Sequence, residues 1–428
     1  MRIVIVAAGT WGDVRPNVVL GQGLKQQGYE VILVASEDFR AWTEEHGLAF
    51  IPLSVNIQVL LDGLTNSRNL MQTVKWIRKI APTAEQMGKE IIEIIRDGDV
   101  LLMNEAGVAL VNGVLETKKV RLILINMQPY APTTEFSGML PPLPGWVSIP
   151  TSRYNRWAGN FVRRSQWWMM GKYGNDLRTR YLGLPKQTWK KHREILNKTP
   201  SLLLVSPQVI PRPSDWQPHH HITGYLFDED TRWQPPSDLL HFLADGERPV
   251  YIGFGSMRDR KPEATTHLIL KAVKQTGHRA VLLSGWAGIG ADNMPDSIFL
   301  LDYAPHTWLF PQMAAVVHHG GAGTMAAALR AGIPSVIVPI MADQPFWGRR
   351  THELGVGPAP IPHNKLTVEN LAEAIRSATN NSLMRQRASE LGEKIVSENG
   401  LKNTIETIAR LLRDDFDGST TVLQTLTS

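Results

Sequence analysis

The chain has 428 residues, 43% hydrophobic and 20% charged, more core material than one domain usually takes up, so two domains are expected. It contains no cysteine, which excludes disulfides, thiolate metal sites and cysteine nucleophiles and fits a reducing compartment. A net charge of +5 suits nucleic acid, an anionic membrane face or a phosphorylated ligand, and separates none of these.

"MRIVIVAAG" is too short for a secretory signal core and "TWGD" follows it at once. No apolar run reaches the ~18 residues of a membrane span, so a cytoplasmic protein is expected, with a peripheral position at the inner membrane face left open. Residues 2–8 form a continuous apolar run rich in β-branched residues, as a buried parallel strand does. "GTWGDVRP" reads as a loop, 17–28 as a helix ending at Gly28, and 29–36 as the next strand, a βαβ opening. Further strands are expected at 99–105, 120–127 and 201–207, and helices at 84–96 and 106–116. Residues 153–180 form a basic, aromatic helical stretch. Prolines at 207, 211, 213, 218, 235 and 236 mark 207–236 as a linker. A second α/β pattern follows, with strands at 249–257, 279–286, 298–303, 314–321 and 334–340. Its helices are expected at 262–276, 323–331, 367–378, 384–397 and 401–414, before a polar tail. The expected fold is α/β, with two facing Rossmann-like doubly wound domains and a cleft between them. The expected boundaries are 1–206, linker 207–236, 237–395, a helix at 396–415 and a tail at 416–428.

In "VVHHGGAGTMAAALRAG" (316–332) a strand runs into a glycine turn and a helix start. Unpaired N–H groups at a helix start carry partial positive charge, and glycines let an anion such as phosphate approach them. Thr324 adds a hydroxyl, and His318 or His319 an imidazole N–H. A tight strand–helix turn around a partly buried histidine is the competing reading. Asp343 and Gln344 end the next strand at the same sheet edge. A carboxylate beside a carboxamide suits vicinal sugar hydroxyls, although Asp343 equally suits a helix N-cap.

"GTWGDVRP", "HHGGAGTM", "ADQPFWG" and "GVGPAPIPHNKLT" resemble the motifs of family 1 glycosyltransferases, two-domain inverting enzymes that use nucleotide sugars. The likeness is strongest to the sterol and bacterial natural-product branch. It covers roughly 1–55 and 249–380 and is weak over 60–200, where acceptors bind. The resemblance implies a donor site in the second domain. In it His319 would contact the pyrophosphate, flanked by Gly321, Gly323 and Thr324, with Ser256 near the phosphates and Asp343 and Gln344 on the sugar. Thr10 and Gly12 would add donor contacts from the first loop. Tyr303 would lie under the base with His306 beside it, and Trp286 is a rival for the stacking role. Trp11 stands where relatives commonly have an arginine, and it is expected with Trp167, Trp168 and Phe346 to contact the acceptor. UDP-glucose would be the co-substrate, with no other cofactor and no metal.

Many members of the family carry a base histidine just after the first strand, but the first histidine here is His46. The loop offers Asp13, as in the sterol-like branch. An aspartate of ordinary pKa, about 4, is a weak base, and burial in an apolar cleft would raise it. The alternative is that Asp13 caps the helix that follows. His219-His220-His221 sits on a strand-like segment, where neighbours point to opposite faces, so no metal site is expected there. Residues 153–172 mix arginines with Trp157, Phe161, Trp167 and Trp168. Such a helix fits an anionic membrane surface, the mouth of an acceptor pocket, or plain packing. Without a recognised module, nucleic acid is not expected, and no obligate protein partner is implied. The expected activity is transfer of glucose to a hydroxyl of an apolar acceptor, a sterol, triterpenoid, macrolide or polyphenol. Nucleotide-sugar epimerases, polyprenyl-diphosphate sugar transferases and a non-catalytic nucleotide-sugar binder are the alternatives.

Overall fold

The computed structural model describes residues 1–54, 70–144, 147–229, 232–254, 262–283 and 294–414. The chain divides into two compact units, Met1–Leu226 with the segment from Asn399, and Phe227–Glu398.

The first unit holds a sheet of β1 (Arg2–Val6), β2 (Glu30–Ser36), β3 (Ala49–Leu53), β4 (Val100–Met103), β5 (Arg121–Asn126), β6 (Ser201–Leu203) and β7 (His220–Ile222). Their spatial order is β3-β2-β1-β4-β5-β6-β7, and every pairing is parallel. The winding reverses between β1 and β4, and that switch point opens a crevice at the strands' C-terminal ends. Ile3, Val4 and Ile5 of β1 and Leu101 and Leu102 of β4 are fully buried, as strands covered on both faces require.

Several features depart from expectation: the helix expected at 84–96 begins at Leu70, and the one expected at 106–116 splits into Val108–Val111 and Val114–Thr117. β3 was not foreseen. It carries Pro52, which removes a ladder donor and is tolerated because β3 lies at the sheet edge. The stretch 207–236 is not a plain linker: β7 lies inside it and extends the first sheet, and the unit boundary falls at 226/227. The helix expected at 17–28 starts at Trp11 and runs to Gln26, because Thr10 is its N-cap and Asp13 completes a capping box.

The second unit holds β8 (Val250–Gly253), β9 (Ala280–Leu283), β10 (Ile298–Leu301), β11 (Ala315–His318) and β12 (Ser335–Ile337). Their order is β10-β9-β8-β11-β12, again wholly parallel. Val250, Ile252, Phe254, Val317 and Val336 centre its core.

Helix Gly400–Asp414 belongs to the first unit. Thr404 and Ile408 are fully buried. Thr404 Oγ1 bonds Thr223 Oγ1 at 2.8 Å, and Arg121 Nη1 donates to the Leu412 carbonyl at 3.1 Å. The expected tail, 416–428, lies outside the described residues.

Candidate active site

The first unit holds a partly open cavity of about 260 Å³ at the C-terminal ends of its central strands. Met87, Met103, Met170 and Leu110 give it apolar walls, and Asp13, Asn17, Asn104 and Gln128 give it polar points. Unbranched thioethers fill irregular space and adapt to varied apolar shapes.

Asp13 reaches this cavity because the capping box fixes its backbone. Its Oδ2 accepts the Thr10 N–H at 2.9 Å, while Thr10 Oγ1 accepts the Gly12 N–H at 3.3 Å. The capping reading of Asp13 therefore holds, and the capped carboxylate also lines the cavity. A methyl group on Gly9 would overlap the Asp13 carboxylate, so the bare backbone there makes room for it. Asn17, one turn on, donates to the Asp13 carbonyl at 2.8 Å. That bond fixes the amide's orientation, and the buried Asn17 Oδ1 has no partner.

Behind the wall lies an ion pair that the sequence did not announce. Arg163 bonds Glu105 through Nε at 2.5 Å and Nη2 at 2.7 Å, and Asn197 through Nη1 at 3.0 Å. Both side chains are only 1% exposed. Glu105 sits between the cavity residues Asn104 and Ala106, so the pair clamps helix Thr151–Asp176 to the rim. The 58-residue separation of the partners leaves no local pattern to read. The helix 151–176 does reveal its core-facing side through its small residues Ala158, Gly171 and Gly174, all buried.

In the second unit, helix Ala322–Arg330 starts at N-cap Gly321, which has no side chain to cap it. The first-turn N–H groups therefore lack the usual internal acceptor. Gly320 takes φ 87°, the left-handed region open to glycine. A Cβ there would meet Ile337 Cγ2 at 2.7 Å and the Gln344 carbonyl at 3.3 Å. That close approach brings the His318–Thr324 turn against the Asp343–Gln344 turn, as the sequence motifs implied. The half-buried His319 imidazole lies over Gly321, where a Cβ would run into its Nε2. Its Nδ1 is buried without a partner, and burial lowers its pKa to about 4, so the ring is neutral at pH 7. His318 is fully buried. Burial first, then the His319 and His306 imidazoles, push it well below its ordinary value. Its Nδ1 accepts the Gly320 N–H at 3.2 Å and pins the turn.

Asp343 occupies an N-cap position without making the cap bond. Its Oδ2 instead accepts the Trp347 indole N–H at 2.7 Å. Gln344 is buried, and its Oε1 accepts the Ile340 and Met341 N–H groups at 2.8 and 3.0 Å. The carboxamide's acceptor is thus committed to its own loop, where Ala342 is held at φ 55°, a strained region for a non-glycine residue.

The remaining candidates lie in varied surroundings. Tyr303 is 42% exposed, and His306 stacks on Phe310 at 4.4 Å. Gly323 is exposed and Thr324 half-buried in the first turn of the helix. Phe346 is buried edge-on against Trp347. Trp11 meets Phe39 and Trp42 edge-on, with the Arg15 guanidinium 4.9 Å from its ring. Trp167 stacks on His192 at 4.6 Å and Trp168 is 68% exposed; neither lines the cavity. Within the triple histidine, His219 Nε2 pairs with the Asn197 carbonyl at 2.8 Å and His220 packs edge-on against Trp216. Ser256 and Trp286 lie outside the described residues.

Residues 3–123 match the glycosyltransferase family 28 N-terminal domain, and residues 267–411 match the C-terminal domain of erythromycin biosynthesis protein CIII-like proteins. A sterol 3-beta-glucosyltransferase of Arabidopsis thaliana is 34% identical over 96% of this chain and 68% of its own length. The O-mycaminosyltylonolide 6-deoxyallosyltransferase of Streptomyces fradiae is 31% identical over 94% of this chain and 96% of its own. Among solved structures, the glycosyltransferase of kitacinnamycin superposes with a TM-score of 0.68 at 18% identity, over 96% of this chain and 98% of that one.

Proposed function

Because the chain belongs to the GT-B glycosyltransferase family of these plant and Streptomyces enzymes, we propose that it transfers a hexose, glucose from UDP-glucose, to a hydroxyl of a sterol-like or macrolide-like alcohol. The observation that carries the acceptor half is Asp13 at the wall of a methionine-lined cavity. In this reading Asp13 removes the hydroxyl proton as the oxygen attacks the anomeric carbon. The bond from that carbon to the diphosphate oxygen breaks on the opposite face, which inverts the centre. Neutral His319 donates an N–H to the departing diphosphate, and Thr324 and the helix start at Gly321 share its charge. Asp343 holds sugar hydroxyls, with its second role as acceptor for Trp347 keeping it in place. No divalent cation takes part.

The test is UDP release from UDP-glucose with and without a panel of apolar alcohols, repeated with a chelator. Release that depends on the alcohol and survives chelation supports the reading. Release without any alcohol points to hydrolysis, conversion of UDP-glucose to another UDP-sugar without release points to epimerisation, and neither points to a binder. A second reading, transfer of a 6-deoxyhexose, draws on the Streptomyces relative, which this chain covers almost end to end. Transfer assayed side by side from UDP-glucose and from a nucleotide-linked 6-deoxyhexose separates the two donors.

A further inference from the structure

Helix Thr151–Asp176 turns Arg163 and Met170 inward, to the ion pair and the cavity. Its other side is bare. Trp157, Phe161 and Trp168 are 55%, 48% and 68% exposed, and their spacing of four and seven residues puts them on one stripe. Trp157 and Phe161 stack on each other at 5.3 Å, and Tyr154 packs on Trp157 at 5.8 Å. Arg153, Arg164 and Lys172 are exposed along the same stripe. Exposed Arg156 bonds Asp215 at 3.0 Å. The helix carries no carboxylate before Asp176, at its last position.

Large aromatics gathered on one exposed face mark a surface that something covers. Here the chemistry selects the cover. Indole and phenyl rings settle at the headgroup level of a bilayer, while arginine and lysine reach the phosphates on long apolar stems. The absence of acidic side chains along the stripe removes the repulsion that an anionic surface would otherwise meet. No helix among the described residues is long and apolar enough to cross a membrane, so the contact is peripheral. We propose that the Arg153–Lys172 face of this helix docks the protein on an anionic lipid surface. The same helix contributes Met170 to the cavity wall, so docking would set that cavity beside a reservoir of apolar alcohols. That last link rests on the acceptor reading above; the docking itself does not.

Co-sedimentation with vesicles of phosphatidylcholine and phosphatidylserine in equal parts, against phosphatidylcholine alone, tests it without any turnover. The wild-type chain should partition onto the anionic vesicles and leave them as salt rises. Arg153→Gln with Arg164→Gln should weaken partition about tenfold or more, since each basic side chain near such a surface contributes appreciably. Trp157→Ser with Phe161→Ser should weaken it comparably. Both variants alter exposed side chains, so melting temperature and UDP affinity should stay as in the wild type. Failure of the wild type to bind anionic vesicles at low salt overturns the proposal, as does equal binding to both vesicle types or unchanged binding by both variants. Self-association abolished by the aromatic variant, without vesicle binding, would assign the face to a second copy of the chain and also overturn it.

Discussion

Asp13→Asn separates two roles that the structure gives to one carboxylate. Asparagine can still accept the Thr10 N–H, now received by Asp13 at 2.9 Å, and it caps about as well as aspartate. The helix start at Trp11 should survive, less the interaction of a negative charge with the helix dipole, about 0.3–1 kcal/mol. The amide cannot take a proton from an attacking hydroxyl, and loss of a general base lowers turnover by about 10²–10⁴-fold. Asp13→Ala should lose turnover similarly and also lose the capping-box bond from the Thr10 N–H, about 0.5–1.5 kcal/mol. Gly9→Ala gives an independent check, because its methyl group displaces the carboxylate without removing it. The assay is steady-state UDP release at saturating acceptor, with thermal melts on each variant. If Asp13→Asn turns over within about threefold of wild type while chemistry limits the rate, Asp13 is a cap and the base lies elsewhere.

His319→Ala should weaken UDP binding at least about tenfold, since a hydrogen bond to a charged group contributes about 1.5–3 kcal/mol; calorimetry on the folded variant measures this. Arg163→Met should destabilise the first unit by about 3–5 kcal/mol by stranding a buried carboxylate; Arg163→Met with Glu105→Leu should recover much of that loss in denaturant titrations. Acid should weaken the fold through its buried histidines. Burial lowers His192 to about 3, with Arg163 adding to the effect, and lowers His219 and His221; His220 also falls to about 3. The native state therefore binds fewer protons than the unfolded chain below the ordinary value, about 6.5. Stability is full above that pH and falls as pH drops toward these lowered values. The denaturant midpoint followed down in pH measures it, and His192→Leu should make the slope shallower.

Both sheets were legible because strands buried on two faces read as short apolar runs rich in β-branched residues, "RIVIV" and "AVVH" among them. β3 was not, because "AFIPL" is short and contains a proline that only an edge position tolerates. The helix start at Trp11 was passed over although Thr10 and Asp13 stand at capping-box spacing; Gly9, Gly12 and Pro16 around them resemble a loop. The two turns that the resemblance implies for the donor come close at Gly320, at neighbouring strand ends. Gln344 shows where pattern reading stops. Its residue type suits a sugar hydroxyl, yet the fold also sets its carbonyl on the N–H groups of Ile340 and Met341. The Glu105–Arg163 clamp and the Trp167–His192 stack exist only once distant segments meet, and no local period encodes them.

Helix Gly400–Asp414 also bears on the order in which the protein is made. Synthesis proceeds from the N-terminus, so Thr404, Ile408 and Leu412, which the first unit buries, leave the ribosome only after all of Phe227–Glu398. The second unit is one continuous stretch of chain and has every residue of its core in hand before then. The first unit emerges earlier yet must wait with the surface around Gly23 and Thr223 uncovered, the places where Leu401, Ile405 and Thr404 later settle. A nascent chain that has emerged from the ribosome to just short of residue 400 would therefore carry a finished second unit and an incomplete first one. Limited proteolysis of such chains should find cuts concentrated in residues 1–226.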